Sequence, residues 1–366
     1  MLGIAKGRGR NMADTMIDRL LVGTLAAIDA LDDAARQVAP DTLAALAAGM
    51  DAGALAAALD AAAAFDWPDR LGPIRDCLVA AASEARAATE GLAAAPTEAR
   101  PMLAAGRSLR RRARAEAALY PLAPFLPPVS RHFLDPAARE DPALLARLAA
   151  VPPGRDGTGV MHFGGPPGTR GGAALYVPET YDPARPPPLI VALHGGSGNG
   201  ADFLWTWLRV ARSRGLLLIA PTSPGRTWTL DDPGEDGAFI EQLLADVQAR
   251  WPADPARRLL TGMSDGGTFT YGFGVQDGAP FTHLAPVAAA FHPMLMMLAD
   301  PARLRGLPIH ILHGARDWMF PATMAREAAR TLAGAGAAVT HEEVADLAHV
   351  WPRERTAAIA TWFLDR

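Results

Sequence analysis

The sequence predicts an α/β protein in which a mostly parallel sheet with helices on both faces follows an all-helical region. Three observations carry that expectation. Alanine, leucine and arginine dominate from about Asp14 to Leu119, with few β-branched residues, and this is helix-forming composition. Beyond Val151-Pro152-Pro153-Gly154, short apolar runs alternate with helical stretches, the rhythm of strands covered by crossover helices. Between the run Leu259-Leu260-Thr261 and a helix-like segment lies Gly262-Met263-Ser264-Asp265-Gly266-Gly267, a strand-to-helix turn that tolerates no bulk beside its serine.

In the helical region Ile17, Leu20, Leu21, Leu25 and Ile28 recur at three- and four-residue spacings, as one buried stripe requires. Asp41 is the expected N-cap of a second helix, and Trp67-Pro68 breaks the pattern before a helix around Ile74 to Leu92. A further helix follows Pro96. Its Arg107, Arg110, Arg111, Arg112 and Arg114 read as a solvated face rather than a dock for an acidic partner or a membrane. Pro121, Pro124, Pro127 and Pro128 then punctuate the chain ahead of a short helix near Pro142 to Ala150. The expected organisation is residues 1–12 as a flexible N-terminus, 13–150 as a helical accessory domain and 151–366 as the α/β domain.

Strands are expected at Gly159 to Phe163, Ala173 to Val177, Leu189 to Leu193, Leu216 to Ala220, Leu259 to Gly262, Leu284 to Ala290, Ile309 to Leu312 and Val339 to Val344. The first two lie close enough for a hairpin, and Leu189–Leu193 and Leu216–Ala220 are apolar throughout, as strands buried on both faces must be. Phe203, Trp207 and Val210 form the buried stripe of one covering helix; Ile359, Trp362 and Phe363 form that of a last helix beginning near Pro352.

Composition excludes several classes. The formal net charge is -4 with a pI near 6.1, which offers a nucleic acid no electrostatic footprint. Cys77 is the only cysteine, so no intrachain disulfide can form. Asp14, Asp18 and Arg19 interrupt the first apolar residues, leaving neither a signal-peptide core nor a membrane span. The expectation is a soluble, cytoplasmic protein without integral membrane contact.

A serine on such a turn becomes a nucleophile only with a base, a group that orients the base, and donors for the oxyanion formed when it attacks a carbonyl. The bland alternative is a glycine-rich loop. His194-Gly195-Gly196-Ser197-Gly198-Asn199-Gly200 follows a central apolar run and can aim N–H groups above the serine. It lacks the lysine of a phosphate loop and the spacing of a dinucleotide fingerprint. The expected oxyanion hole is the N–H of Asp265 with that of Gly196 or Ser197, each such donor being worth about 2.7 to 4 kcal/mol in the transition state. Asp317, just beyond Ile309-His310-Ile311-Leu312-His313-Gly314, is preferred as the acid over Asp300, Asp346 and Asp265. His349 is the histidine of the loop after the last run and the expected base, while His194 and His313 read as loop-stabilising. Trp228, Trp318 and Trp351 lie near loops at the same face and are either an apolar or aromatic substrate subsite or packing residues.

From about Gly159 onward the chain resembles the α/β-hydrolases, above all the carboxylesterase and phospholipase group and the polyhydroxybutyrate-depolymerase-like esterases. The resemblance rests on Leu193-His194-Gly195-Gly196, Ala220-Pro221-Thr222, Trp228 with acidic residues close behind, Thr261-Gly262-Met263-Ser264-Asp265-Gly266-Gly267 and His313-Gly314-Ala315-Arg316-Asp317. It implies an α/β-hydrolase fold, with Ser264 as nucleophile, Asp317 as acid and His349 as base in acyl transfer without a cofactor. Asp265 departs from the glutamine usual in the carboxylesterase group, and the helical first half lies outside the common pattern.

The leading expectation is therefore a serine esterase acting on a small-molecule or polymeric ester, whose N-terminal helices cap the site or mediate association into a homo-oligomer. A polyester depolymerase is a close variant. A peptidase of the prolyl-oligopeptidase type would bring a β-propeller, whose repeated strand blades the first half lacks. A hydrolase fold kept only for binding is opposed by the intact Ser, Asp and His set. A metal site on His310 and His313 is opposed by side chains three apart on a strand pointing to opposite faces.

Overall fold

The computed structural model describes residues 12–230, 233–297 and 299–365. Except for Met12, which opens the first helix, the N-terminus expected to be flexible lies outside the described residues, as do the acidic residues at 231 and 232. The chain divides into two compact units, one built from residues up to Ala35 and from Pro40 to Val129, the other from Arg36–Ala39 and from Ser130 onward.

In the first unit, α1 (Met12–Gln37), α2 (Leu43–Ala48), α3 (Gly53–Ala63), α4 (Gly72–Ala94) and α5 (Pro101–Leu119) form a bundle. The α1 stripe buries Ile17, Leu20, Leu21, Ile28 and Leu31, with Leu25 only half-buried and Thr24 inside, its hydroxyl donating to the Leu20 carbonyl at 2.7 Å. Small residues let α4 and α5 approach closely: Ala81, Ala82, Ala85, Ala88 and Ala105 are sealed, and a Cβ at Gly91 would lie 2.5 Å from the Ser108 hydroxyl. The arginine face expected to be solvated is partly paired, Arg111 with Glu84 at 2.8 Å and Arg112 with Asp32. Thr42, not Asp41, occupies the N-cap position of α2. No described helix is long and apolar enough to cross a membrane.

Along the chain, α6 (Pro127–His132) and α7 (Pro142–Ala149) come next. The longer segment of the second unit runs from Ser130. There Arg212 donates to the Ser130 carbonyl at 2.8 Å, Arg209 lies 3.0 Å from the His132 ring, and Phe133 packs on Trp205.

The sheet has eight strands in the order β1 (Gly159–Phe163), β2 (Ala173–Val177), β4 (Leu217–Pro221), β3 (Leu189–Leu193), β5 (Arg258–Met263), β6 (His283–Val287), β7 (Pro308–Gly314) and β8 (Ala338–Val344). β1 and β2 pair as an antiparallel hairpin, β2 is antiparallel to β4, and every later pairing is parallel. This is the α/β-hydrolase topology that the resemblance implies.

Each crossover uses a helix: α8 (Gly200–Arg214), α9 (Gly234–Arg250), α10 (Asp265–Gly274), the short α11 (Pro301–Leu304) and α12 (Ala322–Gly334), with α13 (Thr356–Leu364) closing the chain. Alternate residues of one strand serve both faces. Leu189, Val191 and Leu193 share a cluster with Ile240, Leu244 and Val247 of α9 and with Ala325, Ala328 and Leu332 of α12. Ile190, Ala192, Leu218 and Ala220 are equally buried on the other side, where α8 packs against β3 and β4 and α13 against α8.

The parallel register brings the carboxyl ends of β3, β5, β6, β7 and β8 to one edge, and the chain after β5 is seated against β3. A Cβ at Gly266 would stand 2.6 Å from the carbonyl oxygens of both Leu193 and His194. Backbone cannot yield there without opening the sheet. Gly266→Ala should therefore lower the urea midpoint, with an expected loss of about 2 kcal/mol or more.

Candidate active site

Ser264 is held at φ 56 and ψ -122, outside the helical and extended regions, at the N-cap of α10. A non-glycine residue there stores roughly 1–3 kcal/mol of strain and persists only where its surroundings over-determine it. The surroundings do so here. Its N–H donates to the Val287 carbonyl at 3.0 Å, its own carbonyl accepts from Thr268 at 2.8 Å, and a Cβ at Gly262 would collide with the Gly266 carbonyl. The result is a hydroxyl lifted off the backbone.

His349 reaches that hydroxyl from the loop after β8. Its Nε2 is 3.0 Å from Ser264 Oγ and its Nδ1 2.8 Å from Asp317 Oδ2. A carboxylate can only accept, which puts the proton on Nδ1 and leaves Nε2 to accept from the serine. The Asp317 carboxylate is fully enclosed. Burial alone would raise its pKa, but hydrogen bonds from His313 and His349, the positive potential of His349 and the Phe320 N–H hold it well below the usual carboxylate range.

The two loops are knitted together by backbone. Ala315 N–H donates to the Val344 carbonyl and Arg316 N–H to Leu347, while Ala348 N–H donates to the Arg36 carbonyl at 3.0 Å. The Arg36 guanidinium pairs with Asp346 at 2.6 Å and with Glu354, bracketing the histidine loop.

Above the serine lies the turn from Gly195 to Gly198, closed by Gly198 N–H to the Gly195 carbonyl at 3.0 Å, with Ser197 at φ 56. The turn's own hydrogen bond uses neither the Gly196 nor the Ser197 N–H, and Asp265, first residue of α10, has an N–H without a helical acceptor. A Cβ at Gly195 would come within 3.3 Å of the Ser264 Cβ, and one at Gly196 within 2.7 Å of Asp265 Oδ2, so the turn rests directly on the nucleophile segment.

Several side chains distant in sequence support this turn. Thr227 donates to Asp265 Oδ2 at 2.6 Å, and Trp228 donates from its indole to the His194 carbonyl at 2.9 Å. Arg170 donates to the Gly198 carbonyl at 2.8 Å and to Ser223 Oγ at 3.0 Å. His194 itself accepts from Ser223 N–H at Nε2 and faces the Gly195 carbonyl with Nδ1, which fixes it as a neutral Nδ1–H tautomer.

The three tryptophans part company. Trp228 is sealed beneath the turn, in ring contact with His194 and Phe269. Trp351 is buried against Phe203 and Trp207, with its N–H given to Thr356. Neither offers a surface to a substrate, contrary to the subsite reading, because each indole found an acceptor in the interior. Trp318 is 41% exposed with its ring centroid 6.3 Å from that of His349, and Phe320 packs edge-on against the same imidazole at 5.3 Å.

No family model matches the chain. Among curated proteins, feruloyl esterase C of Emericella nidulans is 29% identical over 154 residues, 40% of this chain and 55% of that protein. The probable feruloyl esterase C of Aspergillus niger is 27% identical over 154 residues, again 40% and 55%. Over that stretch this chain is similar to feruloyl esterases. It spans about half the length of the curated relatives it matches. Among solved structures, a thermostable esterase superposes with a TM-score of 0.46 at 21% identity, covering 53% of this chain and 58% of that one. A ferulic acid esterase superposes with a TM-score of 0.45 at 15% identity, covering 52% and 89%.

The buried His194 makes stability depend on pH. Desolvation, opposed in part by its bond to the Gly195 carbonyl, pushes its pKa from 6.5 down to about 4. The unfolded chain binds a proton near pH 6.5 that the folded chain refuses until about pH 4, so stability is complete above the first value and is lost as pH falls towards the second. In urea unfolding between pH 7 and pH 4, the native protein should lose on the order of 3 kcal/mol more than His194→Gln, which does not titrate there.

Proposed function

We propose that the chain hydrolyses carboxylic esters through an acyl-enzyme on Ser264. The observation that carries this reading is the unbroken line of hydrogen bonds from Asp317 Oδ2 through His349 to Ser264 Oγ. In the first step Ser264 Oγ attacks the ester carbonyl as its proton passes to His349 Nε2, and Asp317 stabilises the imidazolium that forms. The tetrahedral oxyanion takes the N–H of Asp265 and that of Gly196 or Ser197. Collapse breaks the bond to the alcohol oxygen, which leaves with the proton from His349. Water then repeats the sequence on the acyl-enzyme and releases the acid. No step calls for a cofactor.

An aromatic acyl group is the substrate class this reading favours, supported by the half-exposed Trp318 beside His349 and by the feruloyl esterase names of the relatives. Trp228 and Trp351 are not part of the proposed subsite. A cytoplasmic setting belongs to the same proposal, supported by a single cysteine that leaves no intrachain disulfide to maintain.

Turnover of a chain-length series of p-nitrophenyl esters by the native protein and by Ser264→Ala tests the reaction. The variant is expected to lose activity by about 10⁴-fold or more. Equal turnover by both proteins, or none by either, would remove the reading. Within an active enzyme, Trp318→Ala should raise KM for methyl ferulate by about fivefold while leaving p-nitrophenyl acetate little changed; an equal effect on both esters would take Trp318 out of the acyl subsite.

A further inference from the structure

Resting on the esterase reading, we propose that His313 is a positioning residue for the reaction, a second imidazole that shares the Asp317 carboxylate with His349 and sets how firmly that carboxylate holds the base. His313 is the last side chain of β7 before Gly314 and is sealed from solvent. Its Nε2 lies 2.8 Å from the Phe320 carbonyl and 3.3 Å from Asp317 Oδ2. Both neighbours are acceptors, so the proton is assigned to Nε2 and the imidazole donates into the acid turn.

The carboxylate is therefore shared unevenly. Asp317 Oδ1 accepts from the N–H groups of Met319 at 2.9 Å and Phe320 at 2.8 Å, while Oδ2 accepts from His349 at 2.8 Å and faces His313 at the longer distance. His313 also fixes the turn by bonding the carbonyl of Phe320, whose ring packs edge-on against His349. One side chain thus governs both the acceptor and the wall that orient the base. The chain after β7 has no slack to compensate, since a Cβ at Gly314 would strike the Leu347 carbonyl.

Other charged groups near His313 are few. On β8, Glu343 is its register partner, and Glu343 is held by Arg326 of α12 at 2.6 Å. Glu343 is spent on that partner, which leaves Asp317 as the carboxylate that His313 contacts directly.

Removing the His313 donor returns electron density to Asp317 Oδ2. The imidazolium of His349 then pairs more strongly with that carboxylate. His313→Leu should lower kcat by about tenfold, leave KM within about twofold and move the acid limb of the pH–rate profile upward by about half a unit. His313→Gln keeps an N–H donor and should recover most of the rate and the original limb. A role confined to packing predicts the reverse pattern, with the limb unmoved and His313→Gln as impaired as His313→Leu; that result would overturn the proposal.

A second readout needs neither variant nor turnover. In nitrogen NMR of histidine-labelled native protein, the enclosed ring assigned to His313 should carry a proton on Nε2. A ring whose only proton is on Nδ1 would overturn the proposal as well. Absence of turnover by the native protein would instead sink the esterase reading, a failure that the NMR result keeps distinct from that of His313.

Discussion

The turn at Ser264 is the constraint on which the site depends, and it is a constraint on volume. The serine can hold φ 56 because the residues two positions to either side of it, Gly262 and Gly266, carry no side chain. Gly262 and Gly266 face one another, Gly266 also faces the carbonyls of Leu193 and His194, and Gly267 faces Ala289 and Val287. The contacts of Gly266 and Gly267 join the start of α10 to β3 and β6. The parallel register therefore supports the strain: β3 brings the Gly195 turn over the serine, β6 accepts its N–H, and β7 and β8 deliver the acid and the base to the same edge.

Electrostatics then acts on that fixed frame. Two further histidines lie beside Ser264, Asp317 and His349, each held in one tautomer by its partners. His194, kept neutral by burial, braces the turn from below. His313 braces the acid. Among the described histidines, His349 is the one whose ring nitrogen meets the serine hydroxyl. A single enclosed carboxylate, saturated with donors, orients it.

Much of this was legible in the sequence for identifiable reasons. Strands buried on both faces leave uninterrupted apolar runs, so β3 and β4 could be placed to within a residue. Glycine at a position that admits nothing else marks the elbow. Ser264, Asp317 and His349 could be named together because chain order follows strand order in this topology. What could not be read depends on direction in space. Trp228 and Trp351 sit beside motif residues along the chain, yet their rings turn inward, and proximity in sequence says nothing of which way an indole points. Thr227 meets Asp265 only through folding. Arg212 and Arg209 meet Ser130 and His132 only through folding. His313 was readable as a loop residue, but its hold on Asp317 needed the turn that folds Phe320 back.

The most direct test of the account is covalent. The native protein would be treated with a fluorophosphonate, digested and analysed by mass spectrometry. The account predicts one adduct per chain, on the peptide containing Ser264, with His349→Ala labelled far more slowly. No adduct, or an adduct on another residue while Ser264 stays unmodified, would contradict it.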